Sequence, residues 1–297
     1  MRNQLAAVLV FAIAVLPGAS AWAQDEPAAK PTPKFGAKAS ASGKEKTATL
    51  PCLSGTGQTG PGGFKATYCP ISDPDFAKAQ EEMRKEKVIE GIADNLNAMV
   101  TIPKVVTVTY GECGEVNAFY MPDKQVMVIC YELVDHFYEI FKPDAKNDEE
   151  LDDAVSGAID FVTYHELGHA LTHILDLPIT GKEEDAADQL STYLLADGTD
   201  AGEKSVLDGA RWMLLEDEQN DTDIDKLPFW DEHSLDKQRF YNLACWLYGH
   251  NPDQYANLVE DGSLPKARAD RCPAEYEQLS KSWERLLKGH LKTPPSE

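Results

Sequence analysis

Two histidines and a glutamate at helical spacing are the residues of this sequence most suited to metal chemistry. His165, Glu166 and His169 form the pattern HExxH. On a helix, positions i and i+4 share one face, so both imidazoles can reach one metal ion. Glu166 is rotated by about 100° from His165, so its carboxylate lies beside the ion and can take a proton from water. The pattern predicts metal-assisted hydrolysis with Glu166 as general base, against the alternative of two histidines on a partly buried helix face.

A catalytic zinc ion needs a third protein ligand and one open position. The metzincin pattern would require Gly at 172 and His at 175, but Thr172 and Leu175 stand there, which excludes that class. The third ligand is therefore expected from the acidic cluster that follows. Its candidates are Glu183, Glu184, Asp185 and Asp188. Glu183 is also expected to form a capping box with Thr180 at the start of the next helix.

One of these candidates is favoured by a resemblance. The segment EDAAD, Glu184 to Asp188, resembles the ExxAD element of the CAAX-processing zinc proteases and their heat-shock-protease relatives, and Asn117 to Leu133 resembles their NAF-x-x-P segment. In that group the glutamate is the third zinc ligand and the aspartate supports the first histidine. The resemblance thus implies Glu184 as ligand and Asp188 as the carboxylate that hydrogen-bonds His165, which would fix the imidazole tautomer. A solvated helix acid is the alternative for Asp188.

The whole chain is more similar still to a family of exported bacterial zinc metallopeptidases of unknown function. The similarity covers roughly residues 75–285 and is carried by three motifs: HELGHAL (His165 to Leu171), EEDAADQ (Glu183 to Gln189) and DEHSLDKQRFYN (Asp231 to Asn242). It implies a zincin-like fold of the glutamate-ligand (gluzincin) class. That fold is α+β and mainly helical, with a small sheet beside the HExxH helix. The prenylated membrane substrate of the CAAX proteases does not carry over, because this sequence has no membrane helices.

Peptide hydrolysis also needs a donor for the oxyanion of the tetrahedral intermediate. His233, in the third motif, is the first candidate, although a lone histidine is more often a surface or capping residue. Tyr241, Arg239 and Tyr193 are the reserves. His173, two turns beyond His165, could line the cleft or be an ordinary hydrogen-bonded helix residue.

Composition excludes several classes of partner. The chain has 297 residues with 28 basic and 50 acidic side chains, a formal charge of −22. Phosphate contacts need a basic patch, so nucleic acid is not an expected partner, and an anionic membrane would repel this surface. A peptide or protein substrate is expected instead.

The chain divides into three parts by composition. Residues 1–23 have a positive start, a short apolar stretch and the small-x-small sequence Ala21-Trp22-Ala23, which predict a signal peptide and export to the periplasm or medium. Residues 24–50 have the composition of a disordered linker. Residues 51–297 are predicted to form a single metallopeptidase-like domain without a membrane span.

Six cysteines in an exported chain favour disulfides over a metal–thiolate site, since no CxxC spacing is present. Fifteen connectivities are open to six cysteines. The sequential pairing is the prediction, because each pair would close a local loop. It consists of Cys52–Cys69, Cys113–Cys130 and Cys245–Cys272.

Periodicity and turn signals place the elements around the motif. A helix is expected to begin at Asp73-Pro74, strands near 104–111 and 124–133, and the HExxH helix over about 150–176. The strand from Gln125 to Ile129 is interpreted as an edge strand that pairs with extended substrate. After Ser234, two helices are expected.

These observations predict an exported Zn²⁺-dependent peptidase. The alternative is a non-catalytic zincin-fold module that binds a component of the cell envelope. The intact HExxH favours the enzyme.

Overall fold

The computed structural model describes residues 61–219 and 224–292. The predicted signal segment, the linker and Cys52 lie outside them. The described part is α+β and mainly helical, as expected. Its strands are β1 (Gly63–Ala66), β2 (Val105–Gly111), β3 (Ala118–Met121) and β4 (Val126–Cys130). Its helices are α1 (Pro74–Glu86), α2 (Val88–Met99), α3 (Tyr131–Phe141), α4 (Asp148–Ile174), α5 (Glu183–Leu195), α6 (Asp200–Gln219), α7 (Asp236–His250), α8 (Asn257–Glu260), α9 (Lys266–Ala269) and α10 (Cys272–Leu286).

The four described strands form one sheet in the order β1-β2-β4-β3. β2 is parallel to β1 and β4, whereas β3 is antiparallel to β4. Every residue of β2 and β4 is buried, because both strands are interior and rich in β-branched side chains. The prediction that Gln125 to Ile129 forms an edge strand is therefore wrong. The edge beside α4 belongs to β3.

The HExxH helix α4 runs through the centre of the helical layer. Its N-terminus is capped by Asn147, whose side chain accepts a hydrogen bond from the Glu150 N–H, and three acids occupy its first turn. It packs against α3, α5, α6 and the sheet, so apolar residues surround it on nearly all sides. The predicted span of 150–176 is confirmed within two residues, since α4 covers Asp148–Ile174. Asp176, with φ of 52°, then changes the direction of the chain.

The predicted capping box at the start of α5 is wrong. The helix begins at Glu183, and the capping residue is Lys182, which makes no side-chain cap. The Glu183 side chain instead contacts His169, with Oε1 2.8 Å from Nδ1. A charge-assisted contact across two helices thus replaces the local cap.

The other elements largely follow the sequence. Asp73 caps α1 as the Asp73-Pro74 signal predicts, and the chain turns at Lys87, which has φ of 57°, before α2 begins. The disulfides Cys113–Cys130 and Cys245–Cys272 are present as predicted. Cys69 is also disulfide-bonded, but its predicted partner is outside the described residues, so that pairing stays a prediction. Across residues 61–219 and 224–292, no helix has the length and apolar character needed to cross a bilayer.

Candidate metal centre

Two helices bring the predicted ligands together because they approach very closely. A Cβ added to Gly168 on α4 would lie 2.8 Å from the Ala187 Cα on α5. Only glycine permits this contact, and Ala187 is itself small. The face of α4 that carries His165 and His169 therefore meets the first turns of α5 at van der Waals distance.

The side chains of His165, His169 and Glu184 converge on one point. The two Nε2 atoms are 3.3 Å apart, and Oε2 of Glu184 lies 3.0 Å from that of His165 and 3.3 Å from that of His169. Burial opposes ionisation of Glu184, but hydrogen bonds from the surrounding histidines hold its pKa well below the usual range. The group therefore presents an anionic oxygen beside two imidazole nitrogens.

These separations fit a tetrahedral zinc ion. Zinc–nitrogen bonds of about 2.0–2.1 Å at tetrahedral angles place two ligand atoms about 3.3 Å apart. The three measured separations match this edge, and two histidines with one carboxylate are a donor set of catalytic zinc. Across the described residues, His165, His169 and Glu184 form one of three groups whose potential ligand atoms lie within 4.8 Å of one another. His165, His169 and Glu184 would hold the ion.

Asp188 orients His165 from behind. Its Oδ1 is 2.8 Å from Nδ1 of His165, which leaves Nε2 directed at the convergence point. Arg239 on α7 donates from Nε and Nη2 to the two carboxylate oxygens, both at 2.8 Å. Burial would raise the pKa of Asp188, but the guanidinium and the imidazole hold it well below its usual range. The sequence-based alternative of a solvated helix acid is not what the structure has, since the Asp188 side chain is only 3% exposed.

Each of the three histidines at this site has a carboxylate on Nδ1. Asp188 serves His165, Glu183 serves His169, and Asp231 lies 3.2 Å from Nδ1 of His233. This arrangement fixes the tautomer so that Nε2 faces the centre. Sequence reasoning had assigned no such part to Glu183 or Asp231. Their position as the first residues of the second and third motifs was the available signal.

Glu166 is buried against the centre and incompletely paired. It is 5% exposed, and its Oε2 has no hydrogen-bond partner within the described part of the chain. Burial raises the pKa of this carboxyl above its usual value, although the nearby histidines oppose the shift. An unpaired buried carboxylate oxygen is costly, so its retention is consistent with a ligand or proton-transfer role.

His233 also contacts the Glu184 carboxylate. Its Nε2 lies 2.9 Å from Oε2 of Glu184, and its side chain is 43% exposed. Two imidazoles on one tetrahedral ion have ring centroids about 5 Å apart, as His165 and His169 do at 5.0 Å. The His165–His233 distance is 6.4 Å. His233 is therefore displaced outward from the ligand set, beside the position of the ion.

The remaining candidates are placed elsewhere or already paired. Arg239 is hydrogen-bonded to Asp188, and Tyr193 is only 4% exposed, so neither side chain is available to a bound substrate. Tyr241 packs edge-on against Phe240. Nδ1 of His173 lies 2.9 Å from the hydroxyl of Tyr120 on β3, which links the HExxH helix to the edge strand.

Comparison with known families agrees with this geometry. The DUF4344 family model, described as "Putative metallopeptidase", matches residues 68–287. The chain belongs to this family. Membership supports a peptidase that uses a metal ion and acts on peptide or protein substrates. No curated protein and no solved structure matches the chain significantly.

Proposed function

We propose that this protein is an exported zinc-dependent peptidase with a zincin-like fold of the glutamate-ligand class. The observation that carries the proposal is the convergence of His165, His169 and Glu184 at the edge lengths of a zinc tetrahedron. The buried, unpaired oxygen of Glu166 beside them supports hydrolysis over a purely structural site. Export rests on the sequence of residues 1–23 and the disulfides.

The protein's own residues then have distinct parts in the reaction. When bound, zinc supplies Lewis-acid polarisation and acidifies a water molecule. Glu166 accepts a proton from the attacking water at Oε2 as the carbon–oxygen bond forms, and it returns that proton to the amine as the carbon–nitrogen bond breaks. The products are one carboxylate and one amine.

His233 is suited to stabilise the tetrahedral oxyanion. Nδ1 of this ring is held by Asp231, so Nε2 can donate a hydrogen bond towards the centre. In the metal-free protein, burial would lower the pKa of His233, but contact with Glu184 raises it above its usual value.

The edge strand β3 is suited to bind the substrate backbone. The Cys130 N–H donates to the Asn117 carbonyl, and Ala118 is paired with Ile129. Because antiparallel hydrogen bonds alternate, Phe119 and Met121 bond to β4, while the backbone groups of Ala118 and Tyr120 face the free edge. An extended peptide can add to this edge beside α4.

The proposal is tested by metal analysis and digestion of a broad peptide library. The wild-type protein should bind one zinc ion and cleave peptides, and Glu166→Gln should keep the zinc while activity falls by a factor of about 10²–10⁴. Equal cleavage by both proteins would show that the activity is not of this site. A zinc-loaded wild-type protein that cleaves nothing would favour the non-catalytic binding module.

A further inference from the structure

One segment next to the candidate site exposes an unusual amount of apolar surface. Four large apolar side chains are exposed in the described part of the chain, and three of them lie within seven residues. These are Ile224, Phe229 and Trp230, exposed by 64%, 63% and 68%. Single exposed apolar residues are ordinary, but two adjacent exposed aromatic rings indicate a contact surface.

A short stretch of backbone connects this aromatic pair to His233. The Asp231 N–H donates to the Pro228 carbonyl at 2.9 Å, which closes a turn around Phe229 and Trp230. Only two residues, Asp231 and Glu232, separate Trp230 from His233, so their Cα atoms are at most about 11 Å apart. The pair therefore lies within the reach of about three extended substrate residues, at about 3.3 Å each, from His233.

Side-chain contacts hold the turn against α5. Lys182 donates to the carbonyls of Asp231 and His233 at 3.1 and 3.2 Å. The Ser234 hydroxyl donates to Asp185 at 2.8 Å. Both contacts involve the first turn of α5 or its cap, where Glu184 also lies. The aromatic pair is thus presented in a defined position, which lowers the entropic cost of binding.

The surroundings of the pair are acidic. Four carboxylates, here called the acidic rim, lie in the two segments that meet at the Ser234–Asp185 contact: Glu183 and Asp185 in the first turn of α5, and Asp231 and Glu232 directly after Trp230. Of the nearby cations, Lys182 is engaged by backbone carbonyls, Arg239 by Asp188 and Lys237 by Asp217, and Lys226 also interacts with another group. A ligand that covers the aromatic rings while carrying positive charge is therefore complementary to this rim.

We propose that Phe229 and Trp230 form a subsite for a large apolar side chain of a cationic peptide substrate. The inference rests on the proposed peptidase function and specifies its substrate class. The apolar side chain packs on the two rings, while lysine or arginine residues flanking it face the acidic rim.

Binding is measured by calorimetry with zinc-loaded Glu166→Gln protein, which separates recognition from catalysis. The probes are heptapeptides with phenylalanine or alanine at the centre and lysine or glutamate at the flanks. The lysine-flanked phenylalanine peptide should bind about tenfold or more tightly than its alanine counterpart, and more tightly than the glutamate-flanked one. Adding Phe229→Ala and Trp230→Ala should abolish the preference for phenylalanine.

Val116→Ala is the matched control, because Val116 is another large apolar side chain that is 53% exposed. It should leave the preference intact. Equal binding of the phenylalanine and alanine peptides, a preference for glutamate flanks, or a preference that survives the double substitution would overturn the inference. If the peptides bind as expected but the wild-type protein cleaves nothing, the peptidase proposal fails while the subsite stands.

Discussion

Arg239 donates two hydrogen bonds of 2.8 Å to Asp188, and the same carboxylate holds His165 in place. The arginine comes from α7, the aspartate from α5 and the histidine from α4. A buried ion pair thus connects the helix of the third sequence motif to the predicted zinc ligands. The arrangement fixes which imidazole nitrogen faces the centre.

Removing the arginine should damage both stability and metal binding. Arg239→Met leaves the buried Asp188 charge without its partner, so the free energy of unfolding should fall by about 3–5 kcal/mol. Zinc affinity should fall by about 10–100-fold. Chemical denaturation and competition with a chelating dye measure the two effects. Lys237→Met, on the same helix as Arg239, breaks an exposed pair with Asp217 of α6 and should cost less than about 1 kcal/mol. Similar losses in both variants would contradict the assignment.

The two neighbouring glutamates at the start of α5 should respond differently. Glu184→Ala removes a proposed ligand atom and should reduce zinc affinity by more than about 100-fold. Glu183→Ala removes only the half-exposed carboxylate on Nδ1 of His169, so the loss should be about tenfold. Zinc stoichiometry after dialysis against a weak chelator compares them. If the order is reversed, the ligand assignment is wrong.

The close approach of α4 and α5 should depend on Gly168. Gly168→Ala places a methyl group 2.8 Å from the Ala187 Cα, which must separate the helices and move Glu184 from the histidines. We expect a loss of roughly 1–3 kcal/mol in stability and weaker zinc binding. Gly91→Ala is the control: this helical glycine has open space around it, and alanine there should stabilise by about 0.5–1 kcal/mol. Thermal unfolding and zinc titration of both variants decide the matter.

Zinc binding should release protons at neutral pH. Burial would lower the pKa of His165 and of His169, but the carboxylates around them raise both to about 9 in the metal-free protein. At pH 7.5 the metal-free site therefore holds bound protons on these rings, and an ion must displace one or more of them. Calorimetry in buffers of different ionisation enthalpy measures the number, which zero release would contradict.

The same pKa shifts determine the stability of the metal-free protein. A folded-state pKa above the unfolded value of about 6.5 gives stabilisation that is complete below pH 6.5 and is lost as the pH rises through 9. The melting temperature without metal should therefore fall over this range, while zinc affinity rises. If the melting temperature of metal-free His165→Ala no longer falls over this pH range, the pH dependence originates at this site.

Backbone pairing at the edge strand can be tested with proline. Ala118→Pro removes an N–H that faces the free edge and none that bonds to β4. Peptide cleavage should fall by about tenfold or more, while zinc content and the melting temperature change little. Unchanged cleavage in a folded, zinc-loaded variant would exclude β3 as the substrate-binding strand.

The sequence by itself determined helix α4, with the side chains that it carries, and the strands β2 and β4. The HExxH spacing, the acids of the first helical turn and the β-branched strands are local signals, and the helix and strands formed within a few residues of the predicted limits. The choice of Glu184 among four acids came from resemblance rather than from the residues, because no local signal distinguishes four acids in the first two turns of one helix.

Tertiary structure decided what each side chain meets. The edge of the described sheet is β3 and not the predicted β4, because the strand order places β4 inside, and hydrophobic periodicity does not encode strand order. The Glu183 side chain does not form the predicted capping box, because His169, fourteen residues away in the chain, offers a stronger charge-assisted partner. Arg239 became the partner of Asp188 only through the packing of α7 on α5. Contacts between distant segments are selected by the whole fold, so no local pattern could have assigned them.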